Sequence, residues 1–69
     1  MKIKVNGEEK YIELGNEKAF LSITLQFLGY SPNTIVVEVN DLIINSKKWD
    51  NLMLKDGDKL EIVSIVGGG

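Results

Sequence analysis

The chain closes on Lys59-Leu60-Glu61-Ile62-Val63-Ser64-Ile65-Val66-Gly67-Gly68-Gly69, and the reading of this stretch decides the fold. Apolar and β-branched residues fill most of Lys59 to Val66, which is therefore expected to be a strand. A period of two puts Leu60, Ile62, Ser64 and Val66 on one face and Glu61, Val63 and Ile65 on the other. A domain with one helix covers one face of its sheet. If Leu60 and Ile62 lie beneath the helix, Val63 and Ile65 point outward. With Val66 they form a partner-binding patch at the root of the glycines. Gly67, Gly68 and Gly69 span at most about 10 Å when fully extended. Without Cβ atoms they can enter a channel that excludes every side chain, and the acyl carbon of Gly69 is unhindered. The expectation is a flexible tail with the Gly69 carboxylate as the reactive group. The plainer alternative is a frayed terminus with no role.

Upstream, Lys55-Asp56-Gly57-Asp58 reads as a turn. Asn45 to Leu54 is mixed, with one helical turn and with Trp49 and Leu52 as core anchors. Trp49 reads as a core lid rather than a binding residue. Thr34 to Val39 is β-branched almost throughout and reads as a strand, and Asn40-Asp41 is a tight turn into the short run Leu42-Ile43-Ile44. Ser31-Pro32-Asn33 is a loop, because the proline disfavours helix at Ser31. Residues 17–28 are expected to be helical, with Asn16 as N-cap, Glu17 in the first turn and Gly29 as the C′ stop. Leu21, Leu25 and Leu28 form one apolar stripe, and Phe20, Ile23 and Phe27 form a second beside it. Lys18, Ser22 and Gln26 make the polar face. A small core can use both stripes, and the sharper alternative is that part of the second stays exposed toward a partner or a second copy. At the start, Lys2 to Leu14 alternates on either side of Asn6-Gly7, the strongest short hairpin signal.

The order is strand, strand, helix, strand, short strand, loop, strand. This predicts an α+β domain over residues 1–66, a mixed sheet of four to five strands with one main helix on one face, and residues 67–69 as tail. The crossover rule favours the third and fifth strands as neighbours of the hairpin.

Composition narrows the function. The chain has 69 residues, 43% hydrophobic and 26% charged, and reads as one globular domain. It has no Cys and no His, which removes thiolate nucleophiles, disulfides, thiolate metal sites and the commonest general base. The net charge is −2 and every basic residue is a lysine, so neither nucleic acid nor an anionic membrane is an expected partner. No 18-residue apolar run and no signal-peptide segment are present, and the expected location is the cytoplasm. Such an inventory suits a protein handled by enzymes better than an enzyme.

Four segments resemble the ThiS family, the sulfur carriers of thiamine thiazole synthesis. They are Ile3-Lys4-Val5-Asn6-Gly7-Glu8, Val37-Glu38-Val39-Asn40, Ser46-Lys47-Lys48-Trp49, and Lys55 to Val63 running to Val66-Gly67-Gly68-Gly69. The resemblance implies a β-grasp, ubiquitin-like fold. It also implies that an adenylyltransferase uses ATP and magnesium to make an acyl-adenylate on Gly69. A sulfur donor such as a cysteine desulfurase then leaves a thiocarboxylate, which supplies sulfur to thiazole synthase. No cofactor is implied on the chain itself. Two features depart from the family, one at Asp41 and one at Phe20, Ile23 and Phe27 of the helix. Asp41 stands where a glycine is usual, so a different turn is expected there, and the helix is more apolar. The small subunit of molybdopterin synthase ends the same way, and a ubiquitin-like protein modifier and a plain interaction module are further alternatives.

Overall fold

Two alternating runs, β1 (Lys2–Val5) and β2 (Glu8–Tyr11), pair antiparallel around Asn6 and Gly7. Both turn residues have positive φ, 51° and 84°, which matches the primed turns that suit strand twist. The computed structural model describes residues 1–15 and 18–65. Ile3 and Val5 are buried from β1, whereas β2 is exposed along its length. The alternation carries on past β2, and Ile12 drops into the core.

The helix α1 is Leu21–Phe27, shorter than the 17–28 expected from periodicity. Phe20, not Asn16, precedes its first turn, in extended conformation at φ −66° and ψ 148°. Tertiary hydrogen bonds account for the late start. The Leu54 N–H donates to Ala19 C=O at 2.8 Å and the Leu21 N–H to Leu52 C=O at 2.7 Å, with Phe20 bridged to Met53. These bonds hold residues 19–21 as a strand-like segment. The expected N-cap Asn16 and first-turn Glu17 lie outside the described residues. The far end is as expected. Gly29 has φ 91°, its N–H reaches Gln26 C=O, and the Tyr30 N–H reaches Leu25 C=O, each at 3.0 Å. That is a Schellman closure, which needs the left-handed residue that glycine supplies.

Pro32–Thr34 and Ser46–Lys48 are single 3-10 turns. Between them β3 (Ile35–Val39) and β4 (Leu42–Ile44) form the second hairpin. Its turn keeps the first hairpin's geometry, with positive φ at Asn40 (50°) and Asp41 (72°). The different turn expected from Asp41 is not found, because aspartate tolerates the left-handed region. Finally β5 (Lys59–Ser64) runs parallel to β1 and antiparallel to β3, giving the order β2-β1-β5-β3-β4. The expectation that the third strand would neighbour the first hairpin is corrected here, since β5 lies between them. The last strand to be made is the central one, and its Leu60 (0% exposed) and Ile62 (6%) sit under the helix.

The core joins Ile3, Val5, Ile12, Leu21, Leu25, Val37, Leu60 and Ile62 with Trp49 and Leu54 from the long connection. Trp49 is buried as expected, and its indole N–H donates to Ile44 C=O at 3.0 Å. Leu52 and Leu28 pack on this core only partly buried. Of the second helical stripe, Phe27 is exposed while Phe20 and Ile23 are half-buried.

Candidate functional site

The candidate site is the end of β5, and the structure builds it by clamping that strand from both sides. On the β3 side the Asn40 N–H donates to Lys59 C=O at 2.8 Å, and Asn40 Oδ1 accepts the Lys59 N–H at 3.0 Å. Asn40 Nδ2 also donates to Asp58 Oδ1 at 3.0 Å, and Asp58 Oδ2 accepts the Lys55 N–H at 2.8 Å. The buried Asp58 carboxylate thereby closes the turn that launches β5. On the β1 side the Asn6 N–H donates to Leu60 C=O at 2.9 Å. Asn6 Oδ1 then accepts the Ile62 N–H at 2.7 Å while Nδ2 donates to Ile62 C=O at 3.1 Å. Sequence reasoning assigned both asparagines to turns and missed their second role. A turn asparagine is recognisable locally, but the strand its side chain reaches lies more than fifty residues away for Asn6.

Val63 and Ile65 stand outward, each 58% exposed, as the alternation predicts. Val66 and the glycines Gly67, Gly68 and Gly69 lie outside the described residues. The register adds residues that the sequence alone did not bring together. Val36 lies opposite Val63, Glu38 opposite Glu61, and Ile43 opposite Glu38 on the same outer face. Moving up β5, this face passes from the charged pair Lys59 and Glu61 to the apolar pair Val63 and Ile65. Lys59 Nζ lies 3.0 Å from Asp41 Oδ1. The hydrogen bond to Asp41 and its charge hold the Lys59 ammonium above the usual lysine range, with smaller upward contributions from Glu61 and Glu38.

An open groove of about 420 Å³ lies on the helix side, between α1 and the two 3-10 turns. Its polar lining includes Ser22, Gln26 and Ser46, with Asp50 the one carboxylate among the described residues there. Pro32 and Asn33 of its rim precede Thr34, whose C=O accepts the Ile65 N–H just past β5. Among the described residues no three His, Cys, Asp or Glu side chains cluster so as to hold a metal. Among the described residues no helix is long and apolar enough to cross a membrane. The end of β5 is therefore the site on which strand pairing, exposed apolar surface and the path to the glycines converge.

Comparison with known proteins bears on the family and the fold. A profile of the ThiS family matches residues 3–69. The crystal structure of a thiamine biosynthesis protein (ThiS) from Geobacter metallireducens superposes with a TM-score of 0.81 at 28% identity, covering 100% of both chains. An uncharacterized protein ycf40 of Trieres chinensis is 37% identical over 94% of this chain and 85% of its own length. A thiazole synthase of Magnetococcus marinus is 33% identical over 100% of this chain, which spans only 20% of that relative's length.

Proposed function

The chain belongs to the ThiS family, the small β-grasp sulfur carriers of thiamine biosynthesis, and from that premise we propose that Gly69 carries the sulfur as a C-terminal thiocarboxylate. The supporting observation is that the family match runs through Gly69 in a chain that has no cysteine. Sulfur cannot ride on a side chain as a persulfide, so the C-terminal carboxylate is the remaining attachment point.

A free carboxylate is a poor acyl donor because its charge is delocalised and oxide is its leaving group. In this reading a carboxylate oxygen of Gly69 attacks the α-phosphorus of ATP within a partner adenylyltransferase. Pyrophosphate leaves, and the magnesium belongs to the partner's nucleotide. The terminal sulfur of a persulfide, supplied through a donor such as a cysteine desulfurase, then attacks the acyl carbon. AMP leaves with the original oxygen. A thiol cleaves the resulting acyl disulfide, forming a disulfide with the donor's sulfur and leaving the thiocarboxylate. Gly67 and Gly68 give the reach and slimness to enter both active sites. Val63, Ile65 and Val66 form the docking patch beside the tail. The chain supplies no catalytic group, and ATP-dependent activation sets this chemistry in the cytoplasm. The likeness to a thiazole synthase favours such an enzyme as the sulfur acceptor, and favours the thiamine route over the molybdopterin one.

Incubation with the adenylyltransferase, ATP, magnesium, a sulfur donor and a thiol reductant should replace one oxygen of the chain by sulfur, read by intact mass. Gly68→Ala and deletion of Gly69 should abolish that change while the fold persists. Full sulfur delivery by a chain blocked as its C-terminal amide would overturn the reading.

A further inference from the structure

The alternation of the β5 ladder leaves part of that strand unpaired on one side. The Ile65 N–H donates to Thr34 C=O at 2.8 Å, so in the antiparallel register Thr34 and Ile65 form a hydrogen-bonded pair. Ser64, opposite Ile35, is then in a non-hydrogen-bonded position relative to β3. Its N–H and C=O point the other way, as those of Leu60 and Ile62 do. Leu60 meets the Asn6 backbone there, and Ile62 meets the Asn6 carboxamide. At Ser64 the row is empty among the described residues. The β1–β5 register ends at Val5 and Leu60, and the chain turns away at Asn6 and Gly7. Asn6 thus continues the ladder by one side chain and then stops. Ser64 is exposed. On the opposite side β3 pairs with the strand as far as Ser64, and Thr34, the last residue of the 3-10 turn before β3, holds Ile65. The result is a preformed strand edge that begins where β1 leaves off and leads toward the tail.

We infer that this edge is a strand-addition site, where an extended segment of the thiazole synthase pairs with Ser64 in the row that β1 vacates. The inference rests on the functional reading above for the identity of the partner. The chemistry of the site specifies the occupant's form. An N–H and a C=O presented from one residue at strand spacing are matched by another extended backbone. Val63 and Ile65 flank the row on the outer face, where apolar side chains of an incoming strand pack beside them. Backbone pairing also fixes direction. It lines the tail up along the guest strand, so that the glycines enter the active site in one register rather than swivelling on a flat apolar patch. Asn6 is a positioning residue in this scheme, because its carboxamide holds Ile62 and sets where the guest strand can start.

The test uses amide exchange and two substitutions. In the complex of the full chain with thiazole synthase, exchange of the Ser64 amide should slow by at least about tenfold relative to the free chain. Ser64→Ala keeps the backbone and should bind like the unaltered chain. Ser64→Pro removes an N–H that no described residue uses, so it should fold, as proline does at strand edges. It should bind about tenfold more weakly or worse. A wild-type complex in which the Ser64 amide exchanges at its free rate overturns the inference, and it does so even if the proline variant fails to fold. Equal weakening by alanine would assign the effect to the hydroxyl and also overturn it. Protection of Ser64 by the adenylyltransferase or by a second copy, and not by the synthase, would give the edge to another occupant. If the unaltered chain forms no complex with thiazole synthase, the functional reading falls and takes this inference with it.

Discussion

Asn6 and Ile62 form a closed pair in which one side-chain amide satisfies both polar groups of a residue in the central strand, at 2.7 and 3.1 Å. The same Asn6 sits at φ 51°, where asparagine and glycine are the residues best tolerated. Asn6→Gly therefore separates the two roles, since it keeps the turn and deletes the clamp. Two partly buried hydrogen bonds are lost, and the expected cost is about 1–2 kcal/mol. Urea unfolding should register it as a lower midpoint with an unchanged slope.

Thr24 is completely buried on α1, and its hydroxyl has no partner among the described residues. A buried hydroxyl without a hydrogen bond carries its desolvation cost uncompensated. Thr24→Val keeps the shape and removes the polar atom. It should raise stability by about 1 kcal/mol. For a domain of this size that corresponds to a thermal midpoint higher by roughly 4–8 °C.

Asp41 occupies a left-handed position at φ 72°. Glycine takes that conformation without strain, so Asp41→Gly should stabilise the second hairpin by about 0.5–1 kcal/mol. The substitution also removes the ion pair with Lys59, which is exposed and screened by salt. The gain should therefore be clearer at high ionic strength, measured by urea unfolding.

Lys59 gives a dependence on pH. Its ammonium is held above the usual range chiefly by the hydrogen bond to Asp41. A group whose folded pKa is raised contributes stability that is fully present below its unfolded pKa. That contribution is lost as pH rises through the folded value. The stability difference between the wild type and Lys59→Gln should thus be constant from neutral pH up to the ordinary lysine range. It should shrink at more alkaline pH, followed by urea unfolding along a pH series.

Much was local enough to be read from the chain. Asn6-Gly7 marks a hairpin wherever it occurs between alternating runs, because the turn residues themselves satisfy the backbone. Gly29 stops the helix for the same kind of reason. The outward stance of Val63 and Ile65 follows from a period of two and a helix that covers only one face. The absence of cysteine and the three glycines directed the functional reading to the terminus before any fold was known.

The tertiary structure decided what depends on partners far along the chain. The helix begins at Leu21 because Ala19 and Leu21 bond to Leu54 and Leu52, and no periodicity encodes that competition. The fifth strand takes the centre of the sheet, so its neighbours and register emerge only when β1 and β3 close around it. Val36, Glu38 and Ile43 join the outer face through that register. The Asn6 clamp and the open row at Ser64 arise there too. Hydrogen-bond geometry between strands is set by pairing, and pairing is a property of the assembled sheet rather than of any one segment.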